Sequence, residues 1–450
     1  MKKILILGSG MVARPIIQYL LHRDFKVTVA SNTPDHTAKY IDGHPNGVSV
    51  TWDASDESSL DNMVGNHDLT VSLLPYAFHP MVARHCISHK KDLVTCSYAK
   101  PEMRAMDQAA KDAGIILLNE MGLDPGIDHM SAMRVIDSIH GKGGAILKFY
   151  SICGALPAPE SADNPLRYKF SWSPKGVVLA GNNDAMYLRD GKVVNLPSKD
   201  LFKNPLKYDF PGVGMMDVYP NRDSISYKDI YGIPEVSTIY RATFRFAGWC
   251  ETLDVLKQLR LTLPETFDMT GMTFGQMVLH LIGEEKPQPQ PASRVKEIVA
   301  AKIGIPVDSY ALNAIEWLGL FDDTKMNRKV DSTFEVTSDL MLQKMMLGPD
   351  DRDMIAMQHI FIASYSDGHK EMIKSHMLDF GSLKTDTSIA RTVALPAAIG
   401  AEMILNGQIK LKGVQIPVVP EIYNPVLNRL AEMGIHMVEE YGLPVPEKIF

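Results

Sequence analysis

The chain has 450 residues, of which 45% are hydrophobic, so we expect two or three domains with sizeable cores. A net charge of -7 without a visible basic stripe argues against a nucleic-acid partner. The four cysteines form no C-x-x-C pair, which argues against a zinc site or disulfide framework and fits a reducing cytoplasm. We identify no apolar run near the roughly 18 residues of a membrane span, and expect no membrane partner.

Short apolar runs alternate with helical patterns over residues 1–120. The predicted strands are Lys3–Leu7, Lys26–Ala30, Val48–Trp52, Asp68–Leu74, Asp92–Cys96 and Ile115–Leu118. The predicted helices are Met11–His22, Glu57–Val64, Phe78–His89 and Glu102–Ala113. Several of these strands are apolar on both sides of the alternation, as expected for a parallel sheet covered on both faces. We therefore predict an α/β fold with an N-terminal, doubly wound parallel sheet of Rossmann type.

A glycine motif of the form G-x-G-x-x-A directly follows the first strand and spans Gly8 to Ala13. Gly8 permits a tight turn, Gly10 lets the backbone approach a pyrophosphate, and Ala13 allows close packing of helix on strand. The backbone N–H groups at the helix start then face the phosphates. An ordinary turn between a strand and a helix is the alternative, but the position after an N-terminal strand favours a dinucleotide site.

The residues after the second strand bear on the choice between NAD and NADP. An acidic residue there binds the ribose hydroxyls of NAD and repels a 2′-phosphate. Here the chain has Ser31, Asn32 and Thr33, with no acid. These short hydrogen-bonding side chains favour NADP, with an ordinary polar loop as the alternative.

A second dense motif, Asn119–His129, follows the last predicted strand. Ligands of doubly wound sheets bind at the carboxyl ends of the strands. Asp124 precedes a predicted helix at this edge, where it can face the cofactor, cap the helix, or do both. Ser97 and Tyr98 end the preceding strand at the same edge.

The rest of the chain changes character beyond residue 126. An amphipathic helix is predicted over residues 127–140, and strand-like runs follow at Ala145–Cys153, Val177–Leu179 and Thr238–Phe246. Residues 251–350 are mainly helical in pattern and include a stiff proline-rich connector at residues 287–291. A strand hairpin is predicted over Asp353–Phe380, and a helix over Ile389–Leu405.

These patterns give a three-part organisation. The dinucleotide-binding domain is predicted at residues 1–126, rejoined by residues 389–450. An α+β domain for substrate binding and dimerisation is predicted at residues 127–250 and 351–388. Residues 251–350 are predicted to form an inserted, mainly helical domain.

Several side chains beyond the first domain are candidates for chemistry. Arg245 alternates with aromatic residues on a predicted strand, a pattern typical of a side chain in a cleft, whereas Arg222 lies in a Pro/Asn turn that is more often solvated surface. Cys153 lies in a predicted strand, where a lone cysteine is more often a small core residue than a catalytic one. His85 and His89 have helical spacing, but without a third ligand they predict a solvated face and no metal site.

Several long blocks of the chain are similar to saccharopine reductases, the L-glutamate-forming, NADP-dependent saccharopine dehydrogenases. These blocks are GSGMVARP (8–15), DLTVSLLPYAFHP (68–80), NEMGLDPGIDH (119–129), CGALPAPESADNPLRYKFSWS (153–173), YPNRDS (219–224) and MLGPDDRDMIAMQH (346–359). Together they cover nearly the whole chain.

The resemblance implies a reductase that condenses L-2-aminoadipate 6-semialdehyde with L-glutamate and reduces the imine to saccharopine with NADPH, in lysine biosynthesis. It implies acid–base roles for Asp124, Tyr98 and Cys153. Substrate contacts would be Ser97, Tyr98, Asp124, Arg222, Thr243 and Arg245. Residues that contact the cofactor, together with Gly8 of the motif, would be Ser9, Gly10, Met11, Val12, Ser31, Asn32, Thr33, Asp53, Leu74, Leu123, Asp124, Gly126 and Ser171.

The chain departs from the family at the cofactor loop, where relatives commonly have C-R-T and this chain has Ser31-Asn32-Thr33. The loss of that arginine weakens the NADP assignment. Two alternatives stay open: an imine reductase that acts on another amino acid or a polyamine, and a non-catalytic NADP-binding protein. We expect a cytoplasmic homodimer whose partners are small amino-acid substrates.

Overall fold

The computed structural model describes residues 1–172, 174–285 and 287–450, and the chain divides into two compact units. The first unit contains Met1–Ile146, Ile230–Ile233 and Ala363–Leu443. The second contains Leu147–Asp229, Pro234–Ile362 and Pro444–Phe450. This division differs from the predicted one in two ways: residues 251–350 belong to the second unit rather than to a domain of their own, and residues 127–146 and 363–388 of the predicted α+β domain belong to the first unit.

The helices and strands follow in chain order. Residues 1–146 contain β1 (Lys3–Leu7), α1 (Arg14–Leu21), β2 (Lys26–Ser31), α2 (Pro34–Ile41), β3 (Gly47–Thr51), α3 (Glu57–Gly65), β4 (Leu69–Ser72), α4 (His79–His89), β5 (Asp92–Thr95), α5 (Pro101–Arg104), α6 (Asp107–Ala113), β6 (Ile116–Leu118) and α7 (Ile127–Gly141). The middle of the chain contains β7 (Ala145–Pro157), α8 (Pro174–Ala180), β8 (Ala185–Arg189), β9 (Lys192–Leu196), β10 (Leu206–Phe210), β11 (Gly214–Pro220), α9 (Tyr227–Ile230), β12 (Thr238–Arg245), α10 (Trp249–Gln258), β13 (Thr266–Asp268), α11 (Phe274–Leu281), α12 (Ala292–Ile303), α13 (Tyr310–Leu318), β14 (Val330–Ser332), α14 (Thr333–Lys344) and β15 (Asp353–Ser364). The C-terminal part contains β16 (Lys370–Phe380), α15 (Ser388–Leu405), β17 (Gly413–Gln415), α16 (Pro420–Glu432) and β18 (Val438–Leu443).

A seven-stranded parallel sheet forms the centre of the first unit, in the order β17-β6-β5-β4-β1-β2-β3. Both faces of strand β1 are buried: Leu5 and Leu7 join a core cluster with α3 and α4, and the alternating Ile4 and Ile6 are equally inaccessible. The predicted doubly wound sheet is confirmed. Its edge strand β17 comes from the C-terminal part and was not predicted.

Two predicted helices of the first unit differ from the structure by more than a single residue at one end. The first helix begins at Arg14 rather than Met11, because Gly10 to Ala13 form a turn in which Ala13 N donates to Gly10 O at 3.0 Å. The predicted helix Glu102–Ala113 is two helices, α5 and α6. Asp107 begins the second of these and accepts a hydrogen bond from Val414 N of β17 at 2.9 Å, a contact that the local pattern does not reveal.

The second unit contains a mixed sheet in which β10, β11, β12, β7 and β15 are neighbours in this order. Strand β12 pairs antiparallel with β11 and parallel with β7. The predicted strand at Val177–Leu179 is wrong: these residues lie in helix α8, which opens with Pro174, a residue suited to the first turn of a helix. The predicted hairpin corresponds to β15 and β16.

Helix α15 corrects one expectation about hydropathy. It is 18 residues long with a mean hydropathy of 1.4, so its length and composition alone would allow it to cross a membrane. However, 78% of it is buried inside the fold, as is typical of a core helix. The expectation that no segment is both long and apolar enough to span a membrane was therefore wrong for α15.

Candidate active site

The glycine motif forms the turn between β1 and α1 that a dinucleotide site requires. Gly8 has φ +99°, a conformation that side chains disfavour, and its N–H donates to Ala30 O of β2 at 2.8 Å. Around the position that a Cβ of Gly10 would take, no heavy atom of the described residues other than Gly10 itself and its two chain neighbours lies within 4 Å, so the backbone is open to a close approach there. Met11 is exposed and Val12 is half-buried beside it.

Three hydroxyl groups cluster behind this turn, at the carboxyl end of β2. Ser9 Oγ donates to Ser31 Oγ at 2.8 Å, and Thr33 Oγ1 lies 2.9 Å from both. Asn32 is exposed next to them. The cluster contains no carboxylate that would repel a phosphate, so these residues fit the 2′-phosphate of NADP.

Three further residues that are predicted to contact the cofactor lie after strands of the same unit. Asp53 is exposed just after β3 and accepts hydrogen bonds from Ser55 N and Ser55 Oγ, which lower the pKa of its carboxyl. Leu74 follows β4 and packs partly on the core. Leu123 is buried in the loop after β6.

Tyr98 and Asp124 meet at the carboxyl edge of the parallel sheet, after β5 and β6. The Tyr98 hydroxyl donates to Asp124 Oδ1 at 2.7 Å, although the two residues are 26 positions apart. Gly126 occupies the cap position of α7, so the role of helix cap does not fall to Asp124. A Cβ on Gly126, which has φ +149°, would lie 2.0 Å from Gly122 O, so this tight loop that carries Asp124 depends on glycine.

His79 is a buried histidine at this edge that the sequence interpretation missed. Its Nδ1 lies 3.0 Å from Ser72 Oγ, and its Nε2 lies 2.9 Å from Ser97 Oγ and 3.0 Å from Thr95 Oγ1. Burial lowers the pKa of His79 to about 4, so the ring is neutral at neutral pH. The side chain therefore orients Ser97 without adding charge. Its one sequence signal is its place at the start of a helix that follows a buried strand.

One face of the second unit's sheet carries the next group of predicted site residues. Cys153 of β7 and Tyr219 of β11 both pair with Thr243 of β12, one from each side. Arg245 lies two residues further along β12 and therefore points to the same face. The structure thus brings Cys153, Thr243 and Arg245 together.

Arg245 is a buried cation without a carboxylate partner within the described residues. It is 6% exposed, its Nη1 donates to Phe244 O at 2.8 Å, and its Nε lacks a hydrogen-bond partner among them. Aromatic rings surround the guanidinium, with centroids 4.9 Å (Tyr168), 5.4 Å (Trp249) and 5.9 Å (Tyr219) away. Burial raises the pKa of Tyr219 to about 12, so its phenol stays neutral and does not compensate the charge. The site is therefore complementary to an anion.

Arg222 and Ser171 are the other site residues predicted in the second unit. Arg222 is exposed and has φ +50°, an uncommon conformation for a residue with a side chain. Its carbonyl accepts from Met186 N at 2.8 Å, and Asp223 Oδ1 accepts from Ile225 N at 2.7 Å, so the turn is fixed while the guanidinium faces solvent. Ser171 is buried just before α8.

His85 and His89 share one carboxylate partner on the neighbouring helix α3. Both bind the same oxygen of Asp61, at 2.9 and 2.8 Å. Over residues 1–172, 174–285 and 287–450, no group of three or more potential ligands could hold a metal ion. All four cysteines are free thiols, and burial raises the pKa of Cys86 and of Cys96 to about 12.

Family profiles match nearly the whole chain. The profile of the saccharopine dehydrogenase NADP-binding domain matches residues 4–118, and that of the saccharopine dehydrogenase C-terminal domain matches residues 122–435. The chain belongs to the saccharopine dehydrogenase family. This membership fits the hydroxyl cluster, because the matched N-terminal domain binds NADP.

Relatives in this family fall into two lengths. The saccharopine dehydrogenase [NADP(+), L-glutamate-forming] of Saccharomyces cerevisiae is 36% identical over 462 residues, which cover 99% of each chain. The mitochondrial α-aminoadipic semialdehyde synthase of Mus musculus is 38% identical over 444 residues, which cover 96% of this chain and 47% of the mouse protein. The chain therefore spans about half the length of the mammalian relatives that it matches.

A solved structure supports the same fold. Apo saccharopine dehydrogenase (L-Glu forming) from Saccharomyces cerevisiae, with 35% identity, superposes with a TM-score of 0.89. The match covers 98% of this chain and 100% of the yeast chain.

Proposed function

We propose that the protein is an NADP-dependent, L-glutamate-forming saccharopine dehydrogenase. The reaction joins L-2-aminoadipate 6-semialdehyde and L-glutamate as an imine, with loss of water, and reduces the imine to saccharopine. The hydrogen-bonded pair of Tyr98 and Asp124 carries the proposal, because it lies at the ligand-binding edge of a dinucleotide-binding sheet. The yeast relative of the same length, which bears this name, supports the choice of reaction.

Asp124 is the proposed proton-transfer group. Tyr98 donates to one carboxylate oxygen of Asp124 and thereby fixes the orientation of the group. In the oxidative direction, the other oxygen can accept the proton from the secondary amine of saccharopine, and in the reductive direction it can return a proton to the nitrogen. NADPH, when bound, supplies the hydride for reduction of the imine carbon. Cys153 and Tyr98 are proposed to support this step rather than to carry it.

The proposed substrate anchors are Arg245 and Arg222. Saccharopine has three carboxylates, and a protein of net charge -7 needs local cations to bind them. The Arg245 guanidinium is buried without a carboxylate partner among the described residues and offers an unused Nε–H donor. Ser97 and Thr243 would add hydrogen bonds from neutral hydroxyls.

The choice of amine separates this proposal from a related imine reductase. Purified protein should be given NADPH, the semialdehyde, and one amine at a time from a panel that contains L-glutamate, other amino acids and polyamines. We expect NADPH consumption with L-glutamate and the production of saccharopine. Consumption with another amine alone would favour the alternative reductase, and binding of NADPH without consumption would favour a non-catalytic protein.

The assembly and compartment are also proposals. The four free cysteines support a reducing compartment, and we propose that the protein is a cytoplasmic homodimer. Light scattering coupled to size exclusion should give twice the 50.0 kDa chain mass. A mass equal to one chain at the assay concentration would contradict the dimer.

A further inference from the structure

A buried hydrogen-bond chain lies behind the Tyr98–Asp124 pair and consists of Glu120, His129 and Tyr231. Glu120 Oε2 accepts from His129 Nε2 at 2.7 Å, and His129 Nδ1 lies 3.0 Å from the Tyr231 hydroxyl. These three residues are 2%, 0% and 3% exposed. No role in the proposed mechanism requires them, yet their polar atoms are paired in a water-excluded place where pairing matters most.

Glu120 connects this chain to the segment that carries Ser97 and Tyr98. Its N–H donates to Ser97 O at 3.2 Å, and its Oε1 accepts from Ala99 N at 2.9 Å. Glu120 thereby forms hydrogen bonds with the backbone on both sides of Tyr98. It does so with φ +62°, an uncommon conformation for glutamate that the surrounding contacts maintain.

The charge of Glu120 supports this arrangement. Burial alone would raise the pKa of Glu120, but the hydrogen bond and the electrostatic interaction with His129, the hydrogen bond from Ala99 N and the nearby Arg104 together outweigh burial and lower it. The group is therefore an anion at neutral pH, and an anion accepts stronger hydrogen bonds than a neutral acid.

His129 connects the same chain to the loop that carries Asp124. It lies in the first turn of α7, which begins directly after this loop. In that turn, Asp128 Oδ1 accepts from Gly126 N at 2.6 Å and Met130 N donates to Gly126 O at 3.0 Å. The Glu120–His129 bond thus joins the two backbone segments whose side chains form the 2.7 Å bond between Tyr98 and Asp124.

Tyr231 closes the chain from a remote part of the sequence. Its ring packs edge-on against His129 with centroids 5.6 Å apart. It belongs to Ile230–Ile233, a short segment of the first unit whose neighbours on both sides in sequence belong to the second unit. Its hydroxyl fixes the orientation of the imidazole, because a ring nitrogen with a defined partner cannot rotate freely.

We propose that Glu120, His129 and Tyr231 are positioning residues that hold Tyr98 and Asp124 in hydrogen-bonding register for proton transfer. This inference rests on the proposed role of Asp124. None of the three is proposed to touch the substrate.

The test measures saccharopine oxidation by wild-type protein and by the variants Tyr231→Phe and Glu120→Gln. We expect kcat to fall about 3- to 10-fold for Tyr231→Phe and about 10- to 100-fold for Glu120→Gln, as expected for losing one neutral or one charge-assisted bond. The KM for saccharopine and the NADPH dissociation constant should change less than about twofold, since the anchors are untouched. Tyr365→Phe is the matched control: it removes a hydroxyl that donates to Glu371 at 2.6 Å elsewhere in the first unit, and kcat should not change.

The same substitutions in an Asp124→Asn background decide between positioning and simple support of the fold. If Glu120 and Tyr231 act through Asp124, their substitutions should have no further effect on the residual kcat. Equal fold losses in both backgrounds, or unchanged kcat in both single variants, would overturn the inference. If Asp124→Asn itself left kcat intact, the proposed role of Asp124 would fail first, and the inference would fail with it. Tyr231→Phe, which alters least, covers the case in which Glu120→Gln does not fold.

Discussion

The charged candidate residues of the two units differ in whether the protein itself provides partners for their charges. In the first unit, the Asp124 carboxylate is held by Tyr98 at 2.7 Å, and Glu120 is held by His129 and by the Ala99 N–H. In the second unit, the Arg245 guanidinium is buried among aromatic rings, with no carboxylate partner within the described residues. The proposed proton-transfer group is thus preorganised by the protein, whereas the charge of the proposed substrate anchor is left for the substrate to compensate.

The largest effect should come from the preorganised side of this comparison. Asp124→Asn keeps the shape of the side chain and removes its charge and basicity. We expect kcat/KM for saccharopine to fall by roughly 10²–10⁴-fold, as is usual for a general acid–base. Steady-state kinetics over a range of pH is the measurement.

A matched control for this substitution is Asp56→Asn. Asp56 caps α3 by accepting a hydrogen bond from Ser59 N at 3.0 Å, and asparagine caps helices about as well. Its activity should equal that of the wild type. A loss of only severalfold for Asp124→Asn, with an unchanged pH profile, would reduce Asp124 to a binding residue.

The next largest effect should come from the uncompensated charge. Arg245→Met keeps much of the contact with Tyr168 and Trp249 but removes the charge. Saccharopine binding should weaken about 10- to 100-fold, while NADPH binding stays the same. Because an uncompensated buried charge is costly, Tm without substrate should stay equal or rise. Isothermal titration and thermal unfolding measure both quantities.

Arg189→Ala is the control for this prediction, since Arg189 is an exposed arginine that lies 5.4 Å from the centroid of Tyr187. It should bind saccharopine like the wild type. Arg222→Ala should weaken binding by a similar factor to Arg245→Met but leave Tm unchanged, because Arg222 is exposed. Normal binding by both the Arg245 and Arg222 variants would remove the substrate site from this region.

A smaller effect is expected at the cofactor loop. Asn32→Asp places a carboxylate beside the hydroxyls of Ser31 and Thr33, where it would repel the 2′-phosphate and bind the ribose hydroxyls of NAD. We expect the ratio of kcat/KM for NADP over NAD to fall at least about tenfold and the preference to reverse. Asn62→Asp, at an exposed position of α3, adds the same charge and should leave the ratio unchanged. Equal kcat/KM for both cofactors in the wild type would contradict the NADP assignment.

The smallest effect concerns the neutral histidine beneath Ser97. Burial lowers the pKa of His79 to about 4, below the value of about 6.5 expected in the unfolded chain. The unfolded chain therefore binds the proton first, and stability present above pH about 6.5 is lost as the pH falls toward 4. We expect unfolding free energy to fall by up to about 1 kcal/mol per pH unit in this window, and less steeply for His79→Gln. The measurement is the unfolding free energy from urea titrations at a series of pH values. The same dependence of this free energy on pH in wild type and His79→Gln would contradict the prediction.

Much of the first unit could be predicted from sequence because its signals are local. The predicted strand Lys3–Leu7 has the bounds of β1, and Asp92–Cys96 differs from β5 by one residue, since these apolar runs end at polar turns. Parallel strands bring their carboxyl ends to one edge, so the neighbourhood of Tyr98 and Asp124 also followed. Strand β17 could not, because its three residues pair with β6 from almost 300 positions away.

The site's supporting contacts were out of reach for the same reason. His129 and Tyr231 are 102 positions apart, and no sequence pattern around either residue indicates that the two are in contact. The surroundings of Arg245 depend on the pairing of β11, β12 and β7, whose order no local periodicity encodes. The wrong strand prediction at Val177–Leu179 shows that a local signal can also mislead. This short run with two β-branched residues is typical of a strand, but it lies in helix α8.

We propose that this chain interconverts saccharopine with L-glutamate and the semialdehyde by means of NADP. The most direct measurement incubates purified wild-type protein with saccharopine and NADP⁺ and quantifies both NADPH and L-glutamate. Each turnover consumes one saccharopine, one NADP⁺ and one water and forms one NADPH, one L-glutamate, one semialdehyde and one proton, so NADPH and L-glutamate should appear in equal amounts. Formation of NADPH without L-glutamate would contradict this proposal. So would a failure to form NADPH from saccharopine by a protein that does form NADPH when another amine is supplied in its place.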